Sequence, residues 1–228
     1  MSITGISSMA TRAVLADLAD AYTLRTGLRV AIESTGGVAA LRRLEEGEAF
    51  DLVVLASNAL DKLAQAGRID GASRVNLARS GVAVAVKAGA RHPSIKSEAD
   101  VREAVLAARS IGYSTGPSGA HLMRIFERWG IVNDMASRIV QAPPGVAVGT
   151  LIARGEVELG FQQTSELIGI EGVDVLGPLP ADIQALTVFQ GAICTSARAP
   201  QSARELLDYM NAPEADAVKL SHGMEPVR

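Results

Sequence analysis

LRRLEEGEAFDLVVLASNAL, residues 41–60, and GTLIARGEVELGFQQTSEL, residues 149–167, are built from the same parts in the same order. Each reads as a helix, a Gly-Glu break (Gly47-Glu48, Gly155-Glu156), an acidic residue (Asp51, Glu158), an apolar strand and a new capped helix. The run DLVVLAS (51–57) has no polar alternation, which suits a parallel strand covered on both faces. A true structural repeat and the ordinary likeness of strand–helix alternations both account for the match. Either gives an α/β chain with two similar halves.

Upstream of the first block, Val14, Leu15, Leu18, Ala21 and Tyr22 share one helical face, Ser7 or Ser8 serves as N-cap, and Gly27 is the stop signal. LRVAI (28–32) is expected as a short buried strand, and STGG (34–37) opens the helix of Leu41 and Leu44. A helix over 57–67 and a strand over 81–89 follow. The second half alternates likewise, with a strand over 111–114, a turn and helix over 116–130, a strand over 138–142 and a helix over 145–155. No low-complexity linker separates the halves, so the chain is expected to cross between two lobes through strands. The expected division is residues 1–82 in lobe 1, 83–188 in lobe 2, and 189–228 returning to lobe 1. Strand hinges of that kind suit a clamshell that closes over a ligand.

Composition narrows the function. The formal net charge is −3 with basic residues scattered, so the footprint of a nucleic-acid binder is missing. A single cysteine, Cys194, excludes an intrachain disulfide framework and reads as a small buried hydrophobe. His92, His121 and His222 show no metal-ligand spacing, and no metal or cofactor is expected. No run approaches the roughly 18 apolar residues of a membrane span. The first residues lack a basic n-region and a long apolar h-region. The expectation is a cytoplasmic protein, or a periplasmic one if a leader was removed ahead of this numbering.

The strongest chemical signal is a recurrence. Four strands run into small or hydroxyl residues that start a helix: Ser7-Ser8, Ser34-Thr35-Gly36-Gly37, Gly116-Pro117-Ser118-Gly119 and Pro144-Gly145-Val146. Helix starts expose unpaired N–H groups and the positive end of a dipole, which favour an anion. In open parallel sheets these turns gather at the carboxyl ends of the strands, where ligands bind. Ordinary capping explains each turn singly; four together point to an anion site that needs no lysine. STGGVAAL lacks the Gly-Lys-Ser/Thr ending of a phosphate loop. Ser118 and His121 lie three apart on one helix, but no Gly-x-Ser-x-Gly elbow accompanies them.

In their order and spacing, ISSM before a helix, LRRLEEGEAFDLVVLAS, GPSGAHL and GVAVGTLIARGEVELGFQQTSE resemble the molybdate-binding solute receptors of ABC transporters. That family has the type II periplasmic-binding-protein fold, and the likeness covers nearly the whole chain. It implies a tetrahedral oxyanion held between two lobes by serine hydroxyls, backbone N–H groups and a tyrosine hydroxyl. Carried over by position, the contacts are Ser8, the Thr35–Gly37 turn, Ser118 in place of a usual alanine, Val146 through its backbone, and Gln163. Ser7, Gly119, Gly145 and Gln162 flank them. The resemblance also implies a transporter as partner, provided the protein is exported.

Two positions depart from the family's pattern. The serine usually found near Gly37 is absent, and Gln163 stands in the tyrosine position. Each unmet acceptor of a buried oxyanion costs about 1–3 kcal/mol, so losing two hydroxyl donors argues against tight molybdate binding. Glycines open space, and the Gln162-Gln163 pair offers amide donors and acceptors, a mixture suited to a larger di- or tricarboxylate. Two functions follow. One is capture of a small oxyanion or carboxylate. The other is an enzyme on the same scaffold, since the resemblance extends to bacterial aconitate isomerases. An allylic proton shift needs a group to remove the proton and one to return it; Glu166, His121 and Tyr113 are the candidates near the turns. The effector domain of a LysR-type regulator would share the fold, but no DNA-binding helix-turn-helix precedes the first strand.

Overall fold

The computed structural model describes residues 2–143 and 145–228. Pro144, part of the fourth predicted turn, lies outside them. The chain forms two units, Met1–Ser80 with Thr187–Arg228, and Gly81–Leu186. These divisions fall two residues before the breaks expected at 82/83 and 188/189.

The first unit contains β1 (Ser2–Ser8), α1 (Arg12–Thr26), β2 (Arg29–Thr35), α2 (Gly37–Glu45), β3 (Leu52–Ala56) and α3 (Ser57–Gln65). The chain leaves it along β4 (Val75–Lys87), which begins here and ends in the second unit. The second unit continues with α4 (Glu98–Ala107), β5 (Ile111–Tyr113), α5 (Pro117–Arg128), α6 (Val132–Met135), β6 (Ile139–Gln141), α7 (Val148–Ala153), β7 (Leu159–Gln163), α8 (Thr164–Leu167) and β8 (Val173–Pro178). The chain returns along β9 (Leu186–Ile193) and closes the first unit with α9 (Pro200–Asn211), α10 (Asp216–Ser221) and β10 (Glu225–Pro226).

Strand order shows that the repeat is structural. In the first unit it is β2-β1-β3-β9, with β1, β2 and β3 parallel and β9 antiparallel to β3. In the second it is β6-β5-β7-β4, with β5, β6 and β7 parallel and β4 antiparallel to β7. The two blocks that opened the sequence occupy equivalent places. Both helices end in a left-handed glycine, Gly47 at φ 94° and Gly155 at φ 76°. The acidic residue before each strand accepts a backbone N–H in or just ahead of the neighbouring strand: Thr4 N of β1 to Asp51 Oδ2 at 2.8 Å, and Arg109 N, two residues before β5, to Glu158 Oε2 at 2.7 Å.

The apolar runs of β3 and β4 are buried as their pattern dictates, but LRVAI is not: β2 ends the strand order, and Val30 and Ile32 are half-buried while Arg29 and Ala31 are exposed. Along β3, Leu52 and Val54 join α1 and α9 residues in one core, while Val53 and Leu55 pack with Ala40, Leu44, Leu60 and Leu63 on the other face. In the second unit, Val82, Val84 and Val86 face α4 and α5, and Ala83 and Ala85 face α7. On α1 the buried face is Val14, Leu15, Leu18, Ala19 and Tyr22, with Ala21 only half-buried. Cys194 is buried, and burial first, then the Asp51 charge, push its thiol up to about 12. Among the described residues no helix is long and apolar enough to cross a membrane.

Candidate functional site

In the first unit, β1 and β2 run in register, so Ser7 lies opposite Ser34 and Ser8 opposite Thr35. Successive strand side chains point to opposite faces, and the two serines therefore separate. Ser7 is fully buried and shares a 2.8 Å hydrogen bond with Ser34, which spends its hydroxyl inside the protein. By sequence the two are equal candidates for a cap. Neither caps α1, which starts at Arg12 after a 3-10 turn over Met9–Thr11. Ser8 is buried too, but its Oγ has no hydrogen-bond partner among the described residues.

Ser8 stands beside the start of α2. A Cβ built on Gly37, the first residue of that helix, would lie 3.7 Å from Ser8 Cβ, an ordinary contact. The first N–H groups of α2 have no acceptor within their helix. An unspent hydroxyl and a helix start thus adjoin, and Gly36, at the N-cap, adds no side chain to them.

In the second unit, Ser118 is buried and its hydroxyl pairs with Ser114 Oγ at 3.1 Å. Ser114 Oγ also accepts from Gly116 N at 3.2 Å. Gly119 is required at its position, because a Cβ there would collide with the Ser114 carbonyl. The start of α5 is therefore pressed against the end of β5, with Tyr113 half-buried at that end. Sequence reasoning misses Ser34 and Ser114 as partners of buried hydroxyls, because each partnership joins a strand end to a residue that only the fold brings close.

The fourth turn differs from expectation. α7 begins at Val148, not at Gly145, and the left-handed Gly145 (φ 80°) precedes it in a turn. Val146 N donates to Pro143 O at 3.0 Å, so the backbone donor assigned to an anion by position is already used.

Gln162 and Gln163 end β7, both buried. Gln162 accepts from Val148 N at 2.7 Å and donates to Glu166 Oε1 at 2.8 Å. Its amide is spent internally, contrary to its expected place as a ligand contact. Gln163 lies opposite Val82 of β4. Burial pushes the Glu166 carboxyl up to about 7, against the smaller opposing effect of the Gln162 hydrogen bond. A carboxyl poised there exchanges protons near neutral pH. His121 bonds Ile183 O at 2.8 Å through Nε2. A carbonyl only accepts, so Nε2 carries the proton and the ring anchors the 3-10 turn at Ala181–Ile183. Among the described residues no three His, Cys, Asp or Glu side chains cluster as metal ligands.

The profile of the bacterial extracellular solute-binding proteins matches residues 3–225. The chain belongs to this family. Similar to this solute-binding protein is an aconitate isomerase from Pseudomonas sp, 34% identical over 234 residues that span 99% of this chain and 88% of that one. Among solved structures, the periplasmic molybdate-binding protein of Azotobacter vinelandii matches with a TM-score of 0.83 and 21% identity, over 99% of this chain and all of the other (100%). The sulfate-binding protein SubI of Mycobacterium tuberculosis matches with a TM-score of 0.80 and 16% identity, over 100% of this chain and 87% of that one. At these identities the structural likenesses establish the fold, that of the type II periplasmic binding proteins.

Proposed function

We propose that this solute-binding protein binds a small tricarboxylate and isomerises it by an allylic proton shift, the reaction named for its Pseudomonas relative, with Glu166 as the proton-transfer group. The observation that carries the reading is the half-buried Glu166 carboxyl, held by Gln162 at the end of β7 in the same unit as the anion-favouring start of α5. In such a reaction a C–H bond breaks at the methylene next to a carboxylate. The electron pair spreads over the allylic system, and a proton is added two carbons away. One carboxyl can take and return the proton if it ionises near the working pH.

Each unit, taken by itself, has donors suited to a carboxylate. In the first, Ser8 and the start of α2 offer a hydroxyl and N–H groups; in the second, the start of α5 offers N–H groups. Gly37 leaves room where a serine would fit a compact tetrahedral anion, and this favours a bulkier carboxylate.

The test is incubation with cis- and trans-aconitate in deuterated water, followed by proton NMR. Interconversion with deuterium entry at the methylene is expected, and Glu166→Gln should abolish it. No exchange and no interconversion would sink the reading. A second reading, capture without chemistry, is favoured by the unspent Ser8 hydroxyl, which suits any oxyanion. It predicts a raised melting temperature with molybdate or aconitate and no turnover.

A further inference from the structure

We infer that Gln162 is a positioning residue for Glu166: its carboxamide bridges the first N–H of α7 to the Glu166 carboxylate and holds that carboxyl in one orientation. The inference rests on the reading of Glu166 as the proton-transfer group. Gln162 is 1% exposed, and its amide is engaged inside the protein. Its orientation follows from its partners. Val148 N–H can only donate, so Oε1 must face it at 2.7 Å, and Nε2 is then the atom left for Glu166 Oε1 at 2.8 Å.

The bridge exists because α7 lies unusually close to its sheet. Gly160 precedes Gln162 by two residues and shares its face of β7. A Cβ on Gly160 would collide with Ile152 and Val148 of α7. One on Gly112 of the neighbouring β5 would meet Val148 and Val157, each at 2.8 Å. Two glycines therefore let the helix start come within reach of an amide rooted in the strand, and the four-residue step to Glu166 completes the bridge.

Few charges compete for the Glu166 carboxyl. α8 packs against α7, β7 and β8. α7 and β7 carry no titratable side chain, and Asp174 of β8 is bound by His92 and by Gly89 N. Arg154, just past α7, faces Glu156 at 3.9 Å. The amide donor is thus the specific contact that favours the ionised form against burial.

Full-length protein carrying carbon-13 at its glutamate carboxyls tests this without relying on turnover. The Glu166 signal is the one missing from Glu166→Gln. In Gln162→Met its titration midpoint should move upward by about one unit, because the donor to the carboxylate is gone. Gln162→Glu, which keeps an acceptor for Val148 N–H and carries the test if the Met variant does not fold, should titrate in two coupled steps that straddle the wild-type midpoint. Midpoints unmoved in the folded variants overturn the inference. Aconitate turnover on the same samples separates the two readings: the acid limb of kcat/KM should follow the NMR midpoint at unchanged KM. A shifted midpoint in a protein that turns nothing over sinks the isomerase reading and leaves the bridge standing.

Discussion

Ser7 Oγ and Ser34 Oγ lie 2.8 Å apart across the paired ends of β1 and β2, and this bond separates the roles of two adjacent serines. Ser7 is a structural hydroxyl. Ser8, one residue on, stands beside the start of α2 with its own hydroxyl unspent.

Ser7→Ala should therefore lower stability by about 1 kcal/mol, the net value of a buried hydrogen bond, with little effect on anion affinity. Ser8→Ala should do the reverse: little change in the melting temperature, and about tenfold weaker binding of trans-aconitate by calorimetry. Equal affinities in the two variants would mean that the hydroxyl is not aimed at a ligand.

The raised ionisation of Glu166 makes stability depend on pH in a predictable direction. Its folded-state value, about 7, lies above the ordinary 4.5, so the folded protein favours the protonated form. That contribution is fully present below pH 4.5 and is lost as pH rises through about 7. Glu166→Gln is neutral throughout. The variant's melting temperature minus that of wild type should climb between about pH 5 and 8, while other titrating groups cancel in the difference. A flat difference would show that the carboxyl is solvated.

The strands and their two-fold pattern were legible because apolar runs such as Leu52–Ala56 need cover on both faces, which the helices alternating with them supply. β4 runs further back than the expected 81–89, starting at Val75, because Asn76, Arg79 and Ser80 break the apolar pattern while the backbone continues extended. The helix expected over 145–155 is confined to Val148–Ala153, since the left-handed Gly145 holds a turn ahead of it. Of the candidate site, the helix starts and hydroxyls are readable in the sequence, but which of them the protein uses internally is not. By sequence Gln162 reads as a ligand contact; Gly112 and Gly160 let α7 approach so closely that its amide is used within the protein. No spacing in the sequence reveals that approach.

Gly37 offers a test of what sets ligand size. Its backbone is not left-handed, and an added Cβ makes only an ordinary contact with Ser8, so Gly37→Ser should fold normally. It restores a hydroxyl where the resembled molybdate receptors carry one. Molybdate should then bind about tenfold more tightly relative to trans-aconitate, measured by competition calorimetry. An unchanged ratio would remove Gly37 from the specificity argument.

Asp51 is the buried knot of the first unit. Oδ2 accepts from Thr4 N at 2.8 Å and Thr4 Oγ1 at 2.9 Å, and Oδ1 from Arg198 N at 2.7 Å and Ala199 N at 3.1 Å. One carboxylate therefore joins β1 to the chain just before α9. Burial alone would raise its ionisation, but the four donors outweigh it and hold the group below the ordinary carboxylate value. Its stabilisation is present above the unfolded value, near 3.8, and is lost as pH falls through the lower folded one. Asp51→Ala orphans all four donors and should cost about 3 kcal/mol or more at neutral pH. Asp51→Asn keeps one acceptor but turns an N–H2 toward the other pair of donors, so it too should lose stability in urea melts at neutral pH. Between about pH 4 and 2 the Asn variant's further loss should be smaller than wild type's, because the proton that breaks the knot has nothing left to protonate. Parallel acid limbs in the two proteins would place the acid-sensitive carboxylate elsewhere.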